Sequence, residues 1–237
     1  AVYLLDELRP SAVVYHMVDD LAAVPGADRD ALREAEARLL ARADAVFCTE
    51  RSLFDRARRI TDAARFMPNV ADYRHFSRPN DQAVDPRLDQ LRGMNGPKLV
   101  FSGNIAPHKV DLDLLARLAE LKPEWNVVLI GPEWEGARGT PALDRLRRLP
   151  NAHFFGHVAY RDLPAYLHEA DVLLIPYVEN DATRAVFPLK FFEYLATGRP
   201  VVATPLPSLL PYHEAVRLAR KPGKWIEAIE ASLADPG

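Results

Sequence analysis

Short apolar runs alternate with amphipathic stretches along most of the chain, most clearly from Lys98 onward. Runs of strand type fall at 98–102, 126–130, 152–155, 171–175, 201–203 and 215–218. Stretches of helical period lie between or after them, at 111–121, 141–148, 160–170, 188–198 and 222–234. A short, continuously apolar run bounded by turn residues suits a strand covered on both faces. Strands alternating with helices build parallel sheets through right-handed crossovers. The expected class is α/β, with a doubly wound parallel sheet over the C-terminal part.

The earlier part follows the same rule less completely. Ala12 to Met17, AVVYHM, reads as a buried strand, followed by the loop VDD. Residues 28–43 read as a charged amphipathic helix with Leu32, Leu39 and Leu40 on its apolar side. Ala45 to Cys48 is a second strand, and Thr49 is placed to cap a helix running to about Ile60. Phe66 and Met67 make a brief third strand. Two strand–helix steps are too few for an independent sheet with both faces covered, so this segment reads as half of a domain. The chain opens AVYLLDELRP, which reads as the tail of a helix and as part of a longer protein. Residues 77–97 are polar and rich in Pro, Gly, Asn and Asp, a composition that suits a linker with room for a short helix. The expected division is 1–76, a linker at 77–97, and 98–237.

Composition narrows the function. Apolar residues make up 49% of the chain and charged ones 27%, as in ordinary globular domains. A net charge of -3 argues against a dedicated nucleic-acid binder. The basic runs RARRI (56–60) and RLRRL (145–149) read as solvated helix faces, with peripheral contact to acidic lipid as the alternative. A single cysteine, Cys48, excludes an internal disulfide framework and fits a reducing, cytoplasmic setting. It sits in the apolar run AVFC, where a small buried residue is expected rather than a nucleophile. No stretch has the length and apolarity of a membrane span, and none reads as a secretory signal.

Three stretches carry candidate chemistry. In DVLLIPYVENDATRAVFPLKFFEYLATGRPVVAT (171–204), Pro188 suits a first helical turn, Gly198 a left-handed closing residue, and Pro200 a stop. Leu189, Phe192, Leu195 and Ala196 recur at helical spacing and are expected on the sheet, while Lys190, Glu193 and Thr197 share another side. A lysine in a first turn opposes the helix dipole unless an anion lies nearby. The alternative is an exposed Lys190–Glu193 pair contributing about 0.2–0.5 kcal/mol. FSGNIAPHK (101–109) turns at Gly103 after a strand and brings Lys109 to the strand's carboxyl end. There it either meets a phosphate or stands in water. FFGHVAY (154–160) leaves its strand at Gly156, which either admits a flat ring or simply makes a tight turn. The dinucleotide GxGxxG and the Walker loop are absent, as are the GxSxG elbow and any metal-ligand spacing. No protein-held metal or cofactor is expected.

With these residues in view, positions 98 to about 234 resemble the nucleotide-sugar-binding half of a GT-B glycosyltransferase, most of all the family-four retaining enzymes. FPLKFFEYLATGRPVVAT (187–204) is the most specific match. Residues 12–76 resemble the last part of that fold's acceptor domain. The resemblance implies a complete Rossmann-like donor domain, a partial Rossmann-like acceptor domain, and residue roles. Glu193 would hold the ribose hydroxyls, and the backbone amides of Leu189 and Lys190 would face the diphosphate. Lys109 matches the family's phosphate-binding lysine, beyond the strand-end Gly103. Asn104 stands where the family has arginine, with Arg184 and Lys190 as candidate substitutes. The backbone of His157 and Val158 after Gly156 would meet the base, and His16 would face the donor sugar. Ala185 stands where the family carries an acid eight positions before the helix glutamate, with Glu179 and Asp181 as candidate substitutes. The implied reaction moves a sugar from a UDP- or GDP-sugar to a hydroxyl of a glycan or lipid-linked acceptor, with retention. Such chemistry serves cell-envelope polysaccharide synthesis on the inner face of the membrane. A nucleotide-sugar-binding module without activity and a non-hydrolysing nucleotide-sugar epimerase are the alternatives.

Overall fold

The computed structural model of the protein describes residues 2–79 and 85–235. The chain divides into two compact units. The smaller comprises Ala1–Asn69, Glu179–Pro188 and Leu206–Pro211, and the larger Val70–Val178, Leu189–Pro205 and Tyr212–Gly237.

The smaller unit holds three parallel strands, β1 (Val14–Met17), β2 (Ala45–Cys48) and β3 (Ala64–Phe66), in that spatial order. The helix Arg29–Arg42 starts at Asp28, whose carboxylate accepts the amide of Ala31 at 3.1 Å. Met17, Leu40, Val46, Cys48, Leu53 and Ala57 form the apolar core, and Ala185 packs into it from the distant 179–188 segment. Two expectations are corrected here. β1 is an edge strand, with Val14 and His16 exposed and only Met17 buried. The helix Arg51–Arg58 is capped by Glu50, which accepts the Ser52 amide at 2.7 Å. Thr49 instead donates its hydroxyl to the Val18 carbonyl at 3.2 Å.

The larger unit holds six parallel strands, β4 (Lys98–Ser102), β5 (Asn126–Ile130), β6 (Ala152–Gly156), β7 (Val172–Ile175), β8 (Val201–Ala203) and β9 (Arg217–Leu218). Their spatial order is β6-β5-β4-β7-β8-β9, so the winding reverses at β4. Every residue of β7 and β8 is buried, as continuous apolar runs require in a doubly wound sheet. The helix Leu112–Leu121, capped by Asp111 through the Leu114 amide at 2.8 Å, packs against Pro141–Arg147 and Pro222–Ala234.

Residues 77–97, expected as a linker, lie partly outside the described residues. Within them Pro86–Arg92 forms a helix whose Leu88 and Leu91 are fully buried in the larger unit. Pro86 and the cap Asp85 explain its start. Among the described residues, no helix is long and apolar enough to cross a membrane.

Candidate functional site at the carboxyl ends of the larger sheet

In open α/β sheets a reversal of winding opens a crevice at the carboxyl ends of the strands. Here the reversal lies between β5 and β7, on either side of β4. Gly103 follows β4 at φ +136°, and its amide donates to the Ile130 carbonyl at 2.7 Å. A Cβ at Gly103 would stand 2.9 Å from Lys190 Nζ, so the glycine makes room for that ammonium. Gly131, after β5, is closer still: a Cβ there would lie 2.0 Å from the Gly103 carbonyl oxygen.

The helix Leu189–Ala196 supplies the next groups. Its phase differs from the expectation. Phe191 and Tyr194 are fully buried, whereas Leu189 is 48% exposed. Tyr194 accepts the Ser102 amide at 2.8 Å, tying the helix to the end of β4. The sequence LKFFEYLA is apolar on several sides, so spacing alone did not fix which stripe faces inward.

Lys190 does not form an exposed pair with Glu193. Its Nζ donates to the Tyr177 hydroxyl at 2.7 Å and lies 5.0 Å from the ring centroids of both Phe101 and Tyr177. Lys109 Nζ sits 5.5 Å from the same Tyr177 ring. Two cations thus share one aromatic wall beside Gly103. Burial pushes the Lys190 ammonium down to about 8, against the opposing pull of the Glu193 charge.

Glu193 is 8% exposed and accepts no hydrogen bond from any described residue. Burial raises its pKa, while the charges of Lys190 and His75 oppose the rise. His75 stacks on Tyr160 with centroids 4.6 Å apart, and its Nε2 lies 2.9 Å from the Tyr160 carbonyl oxygen. The charge of Glu193 also helps to raise the Tyr160 phenol, after burial.

The turn after β6 completes the site. Gly156 adopts φ +64°, His157 is exposed and Val158 is buried. The amides of His157 and Val158 donate to no described residue. Asn104 is exposed, and its carbonyl accepts the Ala106 amide at 3.1 Å.

Gly103, Lys109, Lys190 and Glu193 are therefore linked through Tyr177 and the helix. Tyr177, His75 and Tyr160 belong to the same neighbourhood and carry no motif that sequence reading could detect. Leu189 is at the helix start, whose first amides lack intrahelical partners by construction. His16 and Arg184 belong to the smaller unit. Arg184 is exposed, 3.8 Å from Asp181 in a solvent-accessible pair. Ala185, Glu179 and Asp181 also belong to that unit, and Ala185 is buried in its apolar core.

Two α/β units, each built on parallel strands, the larger reversing its winding beside a cationic strand-end cleft, make this a GT-B type of fold. The chain belongs to the family described as Glycosyl transferases group 1, which matches residues 96–235. It is 35% identical over 184 residues to TuaH of Bacillus subtilis (strain 168), provisionally named a teichuronic acid biosynthesis glycosyltransferase. That alignment spans 76% of this chain but 45% of the relative. Among solved structures, HepE of Anabaena in complex with UDP and glucose superposes with a TM-score of 0.77 at 17% identity. The match covers 99% of this chain and 65% of HepE. Sucrose-phosphate synthase from Thermosynechococcus elongatus gives a TM-score of 0.74 at 22% identity, covering 99% of this chain and 62% of the enzyme. The chain thus spans less than two thirds of the length of these relatives.

Proposed function

We propose that the chain forms the donor half and part of the acceptor half of a retaining glycosyltransferase for cell-envelope polysaccharide. It would act at the cytoplasmic face of the membrane. The single observation that carries the reading is the Lys190–Tyr177–Lys109 group beside Gly103, with Glu193, on the Lys190 helix, accepting no hydrogen bond from any described residue. Lys109, Lys190 and the amides of Leu189 and Lys190 bind the diphosphate of a UDP- or GDP-sugar. The two oxygens of Glu193 accept the ribose hydroxyls, and the amides of His157 and Val158 meet the base. The HepE complex holds UDP and glucose, which makes a UDP-sugar the first donor to test.

In the reaction an acceptor hydroxyl oxygen bonds to the anomeric carbon as the bond from that carbon to the diphosphate oxygen breaks. The hydroxyl proton leaves with the departing phosphate or solvent. Positive charge fixed where the leaving group gains negative charge lowers the barrier, and the lysines and helix amides supply it. Binding energy on the nucleotide positions the sugar for attack. Asn104 is assigned to the outer edge of the diphosphate. The acceptor is a glycan or a lipid-linked glycan. Donor binding needs no protein-held metal, so a chelator leaves nucleotide affinity unchanged.

A second reading, a nucleotide-sugar-binding module without turnover, draws on Ala185, which is packed in an apolar core where the family carries an acid. Sustained release of UDP or GDP only when acceptor is present supports transfer. Binding without release supports the module. The ribose assignment is tested by a double-mutant cycle with Glu193→Gln and a 2′,3′-dideoxy nucleotide, measured by calorimetry. Charge-assisted bonds of about 1.5–3 kcal/mol each should make the two losses strongly non-additive. Strictly additive losses would remove Glu193 from the ribose.

A further inference from the structure

The turn after β6 is held by side chains from a different part of the chain. Arg87 Nη1 donates to the carbonyls of Phe155 at 2.5 Å and His157 at 3.1 Å, on either side of Gly156. The guanidinium is itself fixed by Asp85, with Nε 3.0 Å from Oδ1 and Nη2 2.6 Å from Oδ2. Asp85 also accepts the Arg87 amide at 2.9 Å, so the start of the Pro86–Arg92 helix anchors the fork. The carbonyl of Gly156 accepts the Gly131 amide at 2.7 Å.

A trans peptide is planar, and its carbonyl and amide point in opposite directions. Holding the Gly156 carbonyl therefore fixes the direction of the His157 amide. Holding the His157 carbonyl fixes the direction of the Val158 amide. Those two amides are the ones that donate to no described residue. Arg87, braced by Asp85, thus aims the Val158 donor, and the Gly131 amide aims that of His157, without either touching whatever accepts from them. The Nε–Nη2 edge of the planar guanidinium engages Asp85 and leaves Nη1 to donate to both carbonyls, a division that a lysine ammonium does not reproduce.

We propose that Arg87, braced by Asp85, is a positioning residue that aims the Val158 amide and so sets which nucleobase the larger unit accepts. The proposal rests on the reading that a nucleotide base meets this turn. It adds that base choice is governed from residues 85–87, outside the turn. Uracil and guanine present carbonyl acceptors at different distances from the sugar, so tilting one amide changes their relative affinities.

The test uses the full chain, with Arg87→Ala and Arg87→Lys beside the native protein. Calorimetry gives the affinities for UDP, GDP and inorganic pyrophosphate, and amide hydrogen exchange is followed at Gly131. Arg87→Ala should lose about tenfold for the preferred nucleoside diphosphate, the scale of one charge-assisted hydrogen bond. It should narrow the UDP-to-GDP ratio, leave pyrophosphate binding unchanged, and speed exchange at Gly131 but not within β4. Arg87→Lys, which keeps the charge but not the fork, should fall between the two, and it carries the comparison if the alanine variant does not fold. An unchanged UDP-to-GDP ratio, or an equal loss for pyrophosphate, overturns the proposal. If the native protein binds neither nucleoside diphosphate, the donor reading fails and base selection with it. Exchange at Gly131 then still decides whether Arg87 holds the turn.

Discussion

At the scale of single residues, Lys190 links site geometry to pH. Its pKa is held near 8, below the ordinary lysine value of 10.5, because it is buried among aromatic rings. Between those values the unfolded chain keeps a proton that the native state releases. This group's contribution to stability therefore rises with pH across that window, and its full desolvation cost is present below about 8. Anion affinity should run the other way, since the charge is lost as pH passes about 8. UDP titrations should weaken above that pH in the native protein and stay weak and flat in Lys190→Met. A native profile with no such fall would remove the ammonium from the phosphates. Lys109→Ala should weaken UDP much more than uridine, because only the diphosphate meets the second cation. Lys109, Lys190 and Glu193 could be picked from the sequence because a charged residue in an apolar helix or at a strand end departs from its neighbours. Tyr177, His75, Tyr160 and Arg87 could not. Each acts through a partner distant in sequence, as with Arg87 and the carbonyl of Phe155, and no local spacing encodes that contact.

Among elements, the two glycines after β4 and β5 set how closely their loops approach. Gly131 has φ +140°, and a Cβ on it would strike the Gly103 backbone, which cannot swing aside. Gly131→Ala should cost about 1–3 kcal/mol from strain alone, and more from displacement of the loop, read as a lowered Tm. Gly103→Ala meets the flexible end of Lys190 instead, so its characteristic loss should be UDP affinity on top of its own backbone strain. Strand positions were legible to within a residue or two, because buried parallel strands are short apolar runs closed by turn residues. Helix faces were less so. Two adjacent phenylalanines, Phe191 and Phe192, made both phases of the Leu189–Ala196 helix plausible. The hydrogen bond of Tyr194 to Ser102 of β4 fixes the phase in which Phe191 and Tyr194 are buried. Likewise Thr49 and Glu50 are both able caps, and the Val18 carbonyl claimed the threonine.

Across the whole molecule, each unit carries its own reporter. Trp125, Trp134 and Trp225 all lie in the larger unit, with Trp225 fully buried, whereas the sole thiol, Cys48, is buried in the smaller unit's core. UDP should raise the melting temperature seen by tryptophan fluorescence, because a ligand that binds only the native state stabilises it. Burial raises the Cys48 pKa, so its labelling should await opening of the smaller unit. The order of residues carries one more consequence. The chain leaves the larger unit at Glu179–Pro188 and again at Leu206–Pro211, and returns both times. A gene cut at position 70 therefore cannot yield two self-sufficient halves. The downstream product would retain Ala185 but not the Met17, Leu40 and Cys48 that bury it, and should precipitate when made alone. Supplying residues 1–69 from a second gene should recover soluble material, as in complementation by interlocking fragments.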